Sequence, residues 1–383
     1  MRTTAAPFSS DDPTGLYVHV PFCEGKCAYC GFYSEPIGRC DTDRVVSAIE
    51  AELERYRGTA VQTFYVGGGS PTCMGTKRLG RLLDAVAVLR SEPGEWTVEC
   101  NPGQVDRAML TMLRQRGVNR LSFGVQSFAA AELAVLGRRH GVKEAIRAVR
   151  LAQDVGFDNI GVDLIYAIPG STLGSWEASL RAAMALGVQH VSAYALSIEG
   201  GTPLHKAIST GRVEPVDEET DRAMYEMAID YLASAGFEQY EISNFARAGY
   251  ACEHNLGYWE NRPFIGVGPS AASHWRRQRT TNVADIGRYV EAIEAGATVC
   301  AEREPLEASR HICETAVLGL RMRQGIDRMA FAARTGADFG EVFGATAERY
   351  RRAGLMEVDA AGVRLSRQAL PVADSVLCDF AAL

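Results

Sequence analysis

The sequence predicts an α/β protein: a partial (β/α)6, TIM-like barrel followed by a smaller, helical, winged-helix-like C-terminal domain. Three observations predict it. Short runs rich in β-branched and aromatic residues alternate with amphipathic stretches over the first 200 residues, the pattern of parallel strands joined by helical crossovers. About six such units follow one another, short of the eight of a closed barrel. Further on, helical stretches end in a small hairpin.

In order, the strands are expected over residues 16–20, 63–66, 96–100, 120–124, 159–165 and 190–196. Between them, residues 43–57, 76–90, 107–116, 143–155 and 175–185 carry apolar residues three and four apart, as in Leu82, Val86 and Leu89. In a βα barrel the functional groups stand at the C-terminal strand ends, and the motifs described below all fall there. After Gly200 a helix over 216–235 leads to 238–245, then to the polar-aromatic stretch 253–259 and a glycine-rich turn at 266–272. A domain boundary is expected at 281–285, giving a disordered tail over 1–14, a core over 15–280 and a C-terminal domain over 281–383. In that last part helices are expected near 288–295, 308–321 and 339–353, then a hairpin over 355–365 turning at 359–362.

With 47% hydrophobic and 23% charged residues, the chain is neither disordered nor fibrous. No apolar run is long enough for a membrane span, and the start lacks a secretory signal, which points to a cytoplasmic protein without an integral membrane segment. A net charge of -7 argues against a dominant nucleic-acid surface. In a reducing compartment the ten cysteines are thiols or metal ligands, not disulfides. Seven of them, Cys40, Cys73, Cys100, Cys252, Cys300, Cys313 and Cys378, are scattered and read as packed thiols.

Cys23, Cys27 and Cys30 form C-x3-C-x2-C directly after the first strand. Three thiolates on one tight loop suit three corners of a [4Fe–4S] cluster and leave the fourth iron to a non-protein ligand. Structural zinc needs a fourth Cys or His at short spacing, and His19 lies on the strand side.

This motif in this position resembles the radical S-adenosylmethionine (SAM) superfamily, in which the amino and carboxylate groups of SAM chelate the open iron. Gly67-Gly68-Gly69-Ser70-Pro71, ending the second strand, resembles that family's glycine-rich motif, whose backbone approaches the methionine end of SAM. Glu99 ends the third strand, where a carboxylate can accept from a ribose or an ammonium. The runs 16–23, 124–128, 136–140 and 162–170 are similar to the branch that contains oxygen-independent coproporphyrinogen III oxidases and HemW-type heme chaperones. That resemblance implies SAM contacts at Tyr17, Tyr29, Gly68, Gly69, Ser70, Glu99, Gln126, Arg138 and Asp163. From the residues alone, Arg138 and Asp163 equally suit a barrel ion pair, and Tyr17 and Tyr29 suit packing.

Within the branch, the oxidases carry a further cysteine two residues after the third ligand and a long N-terminal extension; here position 32 is Phe and about fourteen residues precede the first strand. The chaperones carry H-N-x-x-Y-W, matched by His254, Asn255, Tyr258 and Trp259. A neutral imidazole can ligate heme iron, and flat aromatics can face a macrocycle, although a His among aromatics also serves as a hydrogen-bonded packing residue. After the glycine turn the chain reads Gly268-Pro-Ser-Ala-Ala-Ser-His-Trp275, a departure from the family's Gly-Cys-Gly-Ala-His-Gly. The resemblance therefore implies a heme chaperone that binds a [4Fe–4S] cluster, SAM and heme, hands heme to an acceptor protein and draws on a cellular reductant for the cluster. The alternatives are a coproporphyrinogen III oxidase and a radical SAM methyltransferase.

Overall fold

Short runs of apolar residues, buried at most positions, build the sheet. The computed structural model describes residues 15–90 and 94–382; the tail expected over 1–14 lies outside the described residues. In β1 (Gly15–Val20), Leu16, Val18 and Val20 are fully buried under the helices, while Tyr17 and His19 turn to the opposite face. The units continue as α1 (Thr42–Glu54), β2 (Thr63–Gly68), α2 (Gly75–Ala87), β3 (Trp96–Cys100), α3 (Arg107–Gln115), β4 (Arg120–Gln126), α4 (Val142–Val155), β5 (Ile160–Tyr166), α5 (Leu173–Ala185) and β6 (His190–Ala195). Neighbouring strands pair in parallel from β1 through β6. Helix starts are fixed locally: the side chains of Asp41, Asp106 and Thr172 accept from backbone N–H groups of the first turns of α1, α3 and α5.

The sheet extends past both ends of this six-stranded core. Beyond β6, following α6 (Glu218–Ser234), β7 (Asn244–Ala246) pairs antiparallel. Next comes the short helix α7 (Glu253–Trp259), and then β8 (Phe264–Val267), which lies parallel to β1 on the other side. Antiparallel to it in series run β9 (Ala272–Trp275) and β10 (Gln278–Asn282) and, after α8 (Ile286–Glu294), β11 (Cys300–Pro305). With the two-residue strand Glu238–Gln239 on the outer side of β7, twelve strands among the described residues form one open sheet.

Two expectations change. The glycine-rich turn expected at 266–272 narrows to 268–271, because Gly266 lies in β8 and Ala272 in β9. The boundary expected at 281–285 begins inside β10, and β11 still belongs to the main sheet; these strands are polar, β10 half-buried and β11 mostly exposed, so no apolar alternation marks them. The unit that stands off the sheet begins with α9 (Ala308–Leu320), α10 (Arg328–Thr335) and α11 (Phe339–Arg352). It includes the expected hairpin, β12 (Met356–Val358) and β13 (Gly362–Leu365), after which the chain runs on through a short helix over Ala373–Cys378.

One buried carboxylate ties the extension to the barrel. Glu52 of α1, 1% exposed, accepts from Gly268 N at 2.8 Å, Asn282 Nδ2 at 2.8 Å and Tyr289 Oη at 2.5 Å. All three partners donate, so an amide at position 52 turns its NH2 against a donor. Glu52→Gln is expected to cost about 1–3 kcal/mol, read as a lower urea midpoint at unchanged m-value; an unchanged midpoint would refute the tie.

Candidate functional site

The cysteine loop is held by backbone bonds to three separate segments. Ile37 N donates to Cys23 O at 2.7 Å, Ala28 N to Leu136 O at 3.0 Å and Leu204 N to Ala28 O at 2.8 Å. The three thiols are half-buried, and burial pushes those of Cys23 and Cys30 above their usual range. Arg138 bridges the loop and the barrel: Nη1 donates to Cys27 Sγ at 3.4 Å and Nη2 to Gly124 O at 2.7 Å. Among the described residues no three His, Cys, Asp or Glu side chains converge as ligands of a single ion do. Each cysteine of a cubane holds its own iron, so three thiols spread over one loop beside a guanidinium fit an anionic cluster.

The glycine motif is pressed against this loop. Gly69 N donates to Val20 O at 2.8 Å and Ser70 N to Phe22 O at 2.7 Å. A Cβ on Gly68, whose φ is 104°, would sit 2.5 Å from His19 Nδ1. Ser70 Oγ and Thr72 Oγ1 both donate to Gln104 Oε1, at 2.6 and 2.8 Å. Glu99 accepts from Tyr65 Oη at 2.9 Å and Gly68 N at 3.1 Å. Burial, then the neighbouring Asp163, pushes the Glu99 carboxyl up to about 7, against the opposing pull of those two bonds. Asp163 is also raised by burial and accepts from Ser122 Oγ at 3.2 Å. Among the described residues Arg138 and Asp163 do not form the ion pair weighed above: the Arg138 Nη atoms bond Cys27 and Gly124, and its Nε is buried without a partner. Gln126 holds a left-handed φ of 69° where β4 loses register with β5.

These groups share one cavity of about 1330 Å³ at the C-terminal strand ends. All the expected cluster and SAM residues line it except Tyr17, whose hydroxyl is bonded to His19 Nδ1 at 3.0 Å. Tyr29 lines it and packs on Leu136, Ile165 and Ile168.

The H-N-x-x-Y-W residues do not gather there. They lie on α7, whose first turn is capped by a distant carboxylate: Glu95 accepts from Glu253 N at 3.0 Å and His254 N at 3.1 Å. His254 is 2% exposed, and both ring nitrogens are engaged, Nδ1 with Thr63 Oγ1 and Nε2 with Tyr258 Oη, each at 2.9 Å. Burial drives its pKa down to about 3, so the ring is neutral. Thr63 begins β2, which places His254 at the opposite end of the barrel from the cysteines. Asn255 alone of the four lines the cavity. Trp259 carries the Arg321 guanidinium on its indole face at 4.7 Å.

Sequence reasoning missed several residues. Arg120 is fully buried in the barrel and lines the cavity, 3.9 Å from Glu95. Tyr194 and residues 370–375, near the C-terminal end, also form its wall. A charged residue opening a buried strand, as Arg120 does in β4, is the one local signal by which it could have been found; the others converge only in three dimensions.

A six-unit open barrel with a thiol loop after its first strand and a glycine cradle after its second defines a radical SAM protein, and residues 17–183 match the Radical SAM superfamily. Residues 306–372 match the HemN C-terminal domain. Heme chaperone HemW of Bacillus subtilis is 33% identical over 359 residues, 92% of this chain and 95% of that one. Heme chaperone HemW of Mycobacterium tuberculosis is 38% identical over 324 residues, 82% and 83% of the two chains. The chain belongs to the HemW family. Among solved structures, coproporphyrinogen III oxidase (HemN) from Escherichia coli superposes with a TM-score of 0.85, covering 97% of this chain and 91% of that one at 20% identity, a shared fold. The superfamily implies a [4Fe–4S] cluster and SAM. Among the described residues no helix is long and apolar enough to cross a membrane.

Proposed function

We propose that this chain is a heme chaperone: it holds a [4Fe–4S] cluster on Cys23, Cys27 and Cys30, binds SAM over it, binds heme, and releases heme to an acceptor protein. The observation that carries this reading is the cavity beside the cysteine loop. Its volume of about 1330 Å³ exceeds the roughly 300–1,000 Å³ of one small-molecule site, so it has room for SAM and a second large ligand. The relatives' name supplies the identity of that ligand. The family cluster supplies an open iron for the amino and carboxylate groups of SAM. Around it, the bare backbone at Gly68 and Gly69 with Ser70 takes the methionine end, and Glu99 accepts from the ammonium or ribose. Gln126, Arg138, Asp163 and Tyr29 orient the rest, and Tyr17, which stands off the cavity, acts only through His19 behind the glycine motif. Ten free cysteines among the described residues suit a reducing compartment, and we place the protein in the cytoplasm, with a cellular reductant serving the cluster.

Heme ligation by His254 requires Tyr258 to leave Nε2. Asn255, Tyr258 and Trp259 serve heme either directly or by fixing the cavity floor. Phe32 stands where the oxidases carry their further cysteine, and this disfavours porphyrinogen decarboxylation.

The test is an anaerobic titration of the cluster-loaded chain with hemin, followed by mixing with apomyoglobin. A saturable Soret shift and transfer of heme to apomyoglobin are expected, with no decarboxylated product from coproporphyrinogen III. Absence of a specific shift, or turnover of coproporphyrinogen, would overturn the reading.

The Glu99 assignment has a pH signature. Its pKa of about 7 lies above its ordinary value, so the folded chain gives up stability as pH rises from the ordinary carboxylate range through 7. The ionised form is the better acceptor for an ammonium, so SAM binding is expected to weaken up to about tenfold per pH unit below 7. Glu99→Gln is expected to flatten that acidic limb in calorimetric titrations; an unchanged limb removes Glu99 from the SAM site.

A further inference from the structure

The outer part of the cavity has a chemistry that SAM and the cluster do not use. Among the described residues eight large apolar side chains are exposed, and three of them line this one cavity: Phe32, Tyr194 and Val372, at 72%, 41% and 44%. The same cavity is lined by Arg321, at the C-terminal end of α9. Its guanidinium carbon lies over the Trp259 ring, 4.7 Å from the centroid, and its Nε is buried without a hydrogen-bond partner. Among the described residues its one acidic partner is Asp374, 3.6 Å from Nη1 and itself 93% exposed. A pair that long, with one member in water, contributes little and is readily displaced. The nearby Glu241 carboxylate is held at Oε1 by Ser243 N at 3.0 Å and Asn244 Nδ2 at 2.5 Å, while its Oε2 is buried without a hydrogen-bond partner and makes no ion-pair contact with Arg321 among the described residues.

We propose that Arg321, oriented by Trp259, is the anchor for a carboxylate of the second ligand, whose apolar body lies against Phe32, Tyr194 and Val372. This rests on the heme reading and names the site and the chemical handle: a large flat apolar molecule with a carboxylate edge. The first turn of α6 presents Glu218, Glu219 and Asp221 to the same cavity, which repels a polyanion and directs the few carboxylates of such a ligand to Arg321. Planar guanidinium and carboxylate pair through two parallel hydrogen bonds, and the bound carboxylate takes the place of Asp374. Trp259 is then a positioning residue: the aromatic motif at the barrel floor acts on the ligand through the cation stacked upon it.

The test compares hemin with its dimethyl ester, in which the carboxylates are blocked, by absorption titration of the cluster-loaded full chain. Wild type is expected to prefer hemin by roughly ten- to hundredfold. Arg321→Met is expected to bring that ratio close to one by weakening hemin and not the ester, Arg321→Lys to restore part of it, and Trp259→Leu to reduce it with Arg321 still present. Asp374→Asn, at an exposed position where folding is not at stake, is expected to tighten hemin severalfold and leave the ester unchanged. A wild-type ratio in Arg321→Met, no preference in wild type, or an unmoved Asp374→Asn each overturns the proposal while hemin binding itself stands. Wild type that binds neither hemin nor ester overturns the heme reading, and this inference with it.

Discussion

Cys27→Ala is expected to yield a folded protein that retains almost no cluster iron after anaerobic reconstitution. Two physical features separate the loss of the cluster from a loss of fold. The loop is positioned by its backbone, through Ala28 N to Leu136 O at 3.0 Å and Leu204 N to Ala28 O at 2.8 Å, and neither bond involves the Cys27 side chain. The thiol is half-buried, so its removal leaves a small change at a wet surface, within about 0.5 kcal/mol for the apo chain. The metal side behaves differently. Two remaining thiolates leave two irons of a cubane without protein ligands, and Arg138 loses the sulfur it bonds at 3.4 Å. Iron content and the visible absorption of the cluster should therefore fall together while far-UV circular dichroism stays unchanged. The matched control is Cys73→Ala, on the turn that follows the glycine motif, which is expected to load normally. Full iron content in Cys27→Ala, or loss in Cys73→Ala, would mean that the ligand set is wrong. Because burial raises the thiols of Cys23 and Cys30, reconstitution should also proceed more completely as pH rises.

What the sequence made legible follows the range of the forces involved. β1 to β6 and the helices between them were readable because strands such as Leu16–Val20 alternate buried and barrel-facing residues within a few positions. β9 to β11 were not, since Gln278–Asn282 and the edge strand Cys300–Pro305 are mostly polar and their pairing depends on each other and not on a core. The site divides in the same way. Cysteine loop, glycine motif and Glu99 are adjacent to strand ends, so position in the chain predicted position in the cavity. His254 carried a motif but no sign that Thr63, 191 residues away, and Tyr258 would occupy both ring nitrogens. Nor did anything local connect Trp259 to Arg321, or bring residues 370–375 back over the barrel mouth.

Gly69→Ala is expected to destabilise the chain by about 3 kcal/mol or more and to lower cluster loading as well. The reason is space: Gly69 does not adopt a left-handed φ, but an added Cβ would lie 2.3 Å from Phe22 O and 2.9 Å from Val20 O. Both are backbone atoms of the segment that delivers Cys23, and neither can swing aside as a side chain would. Relief requires β2 to move away from that segment, which breaks Gly69 N to Val20 O at 2.8 Å and Ser70 N to Phe22 O at 2.7 Å. Those two bonds join the glycine cradle to the cysteine loop, so one methyl group disturbs both halves of the site. Gly200→Ala provides the contrast, with no atom within 4 Å of its added Cβ, and is expected to stay within about 0.5 kcal/mol of wild type. Urea unfolding of the two variants, paired with iron content after reconstitution, separates the outcomes. Loss of stability with normal loading would confine the contact to the fold; wild-type stability would show that β2 yields freely, and that this close approach does not hold the two loops in register.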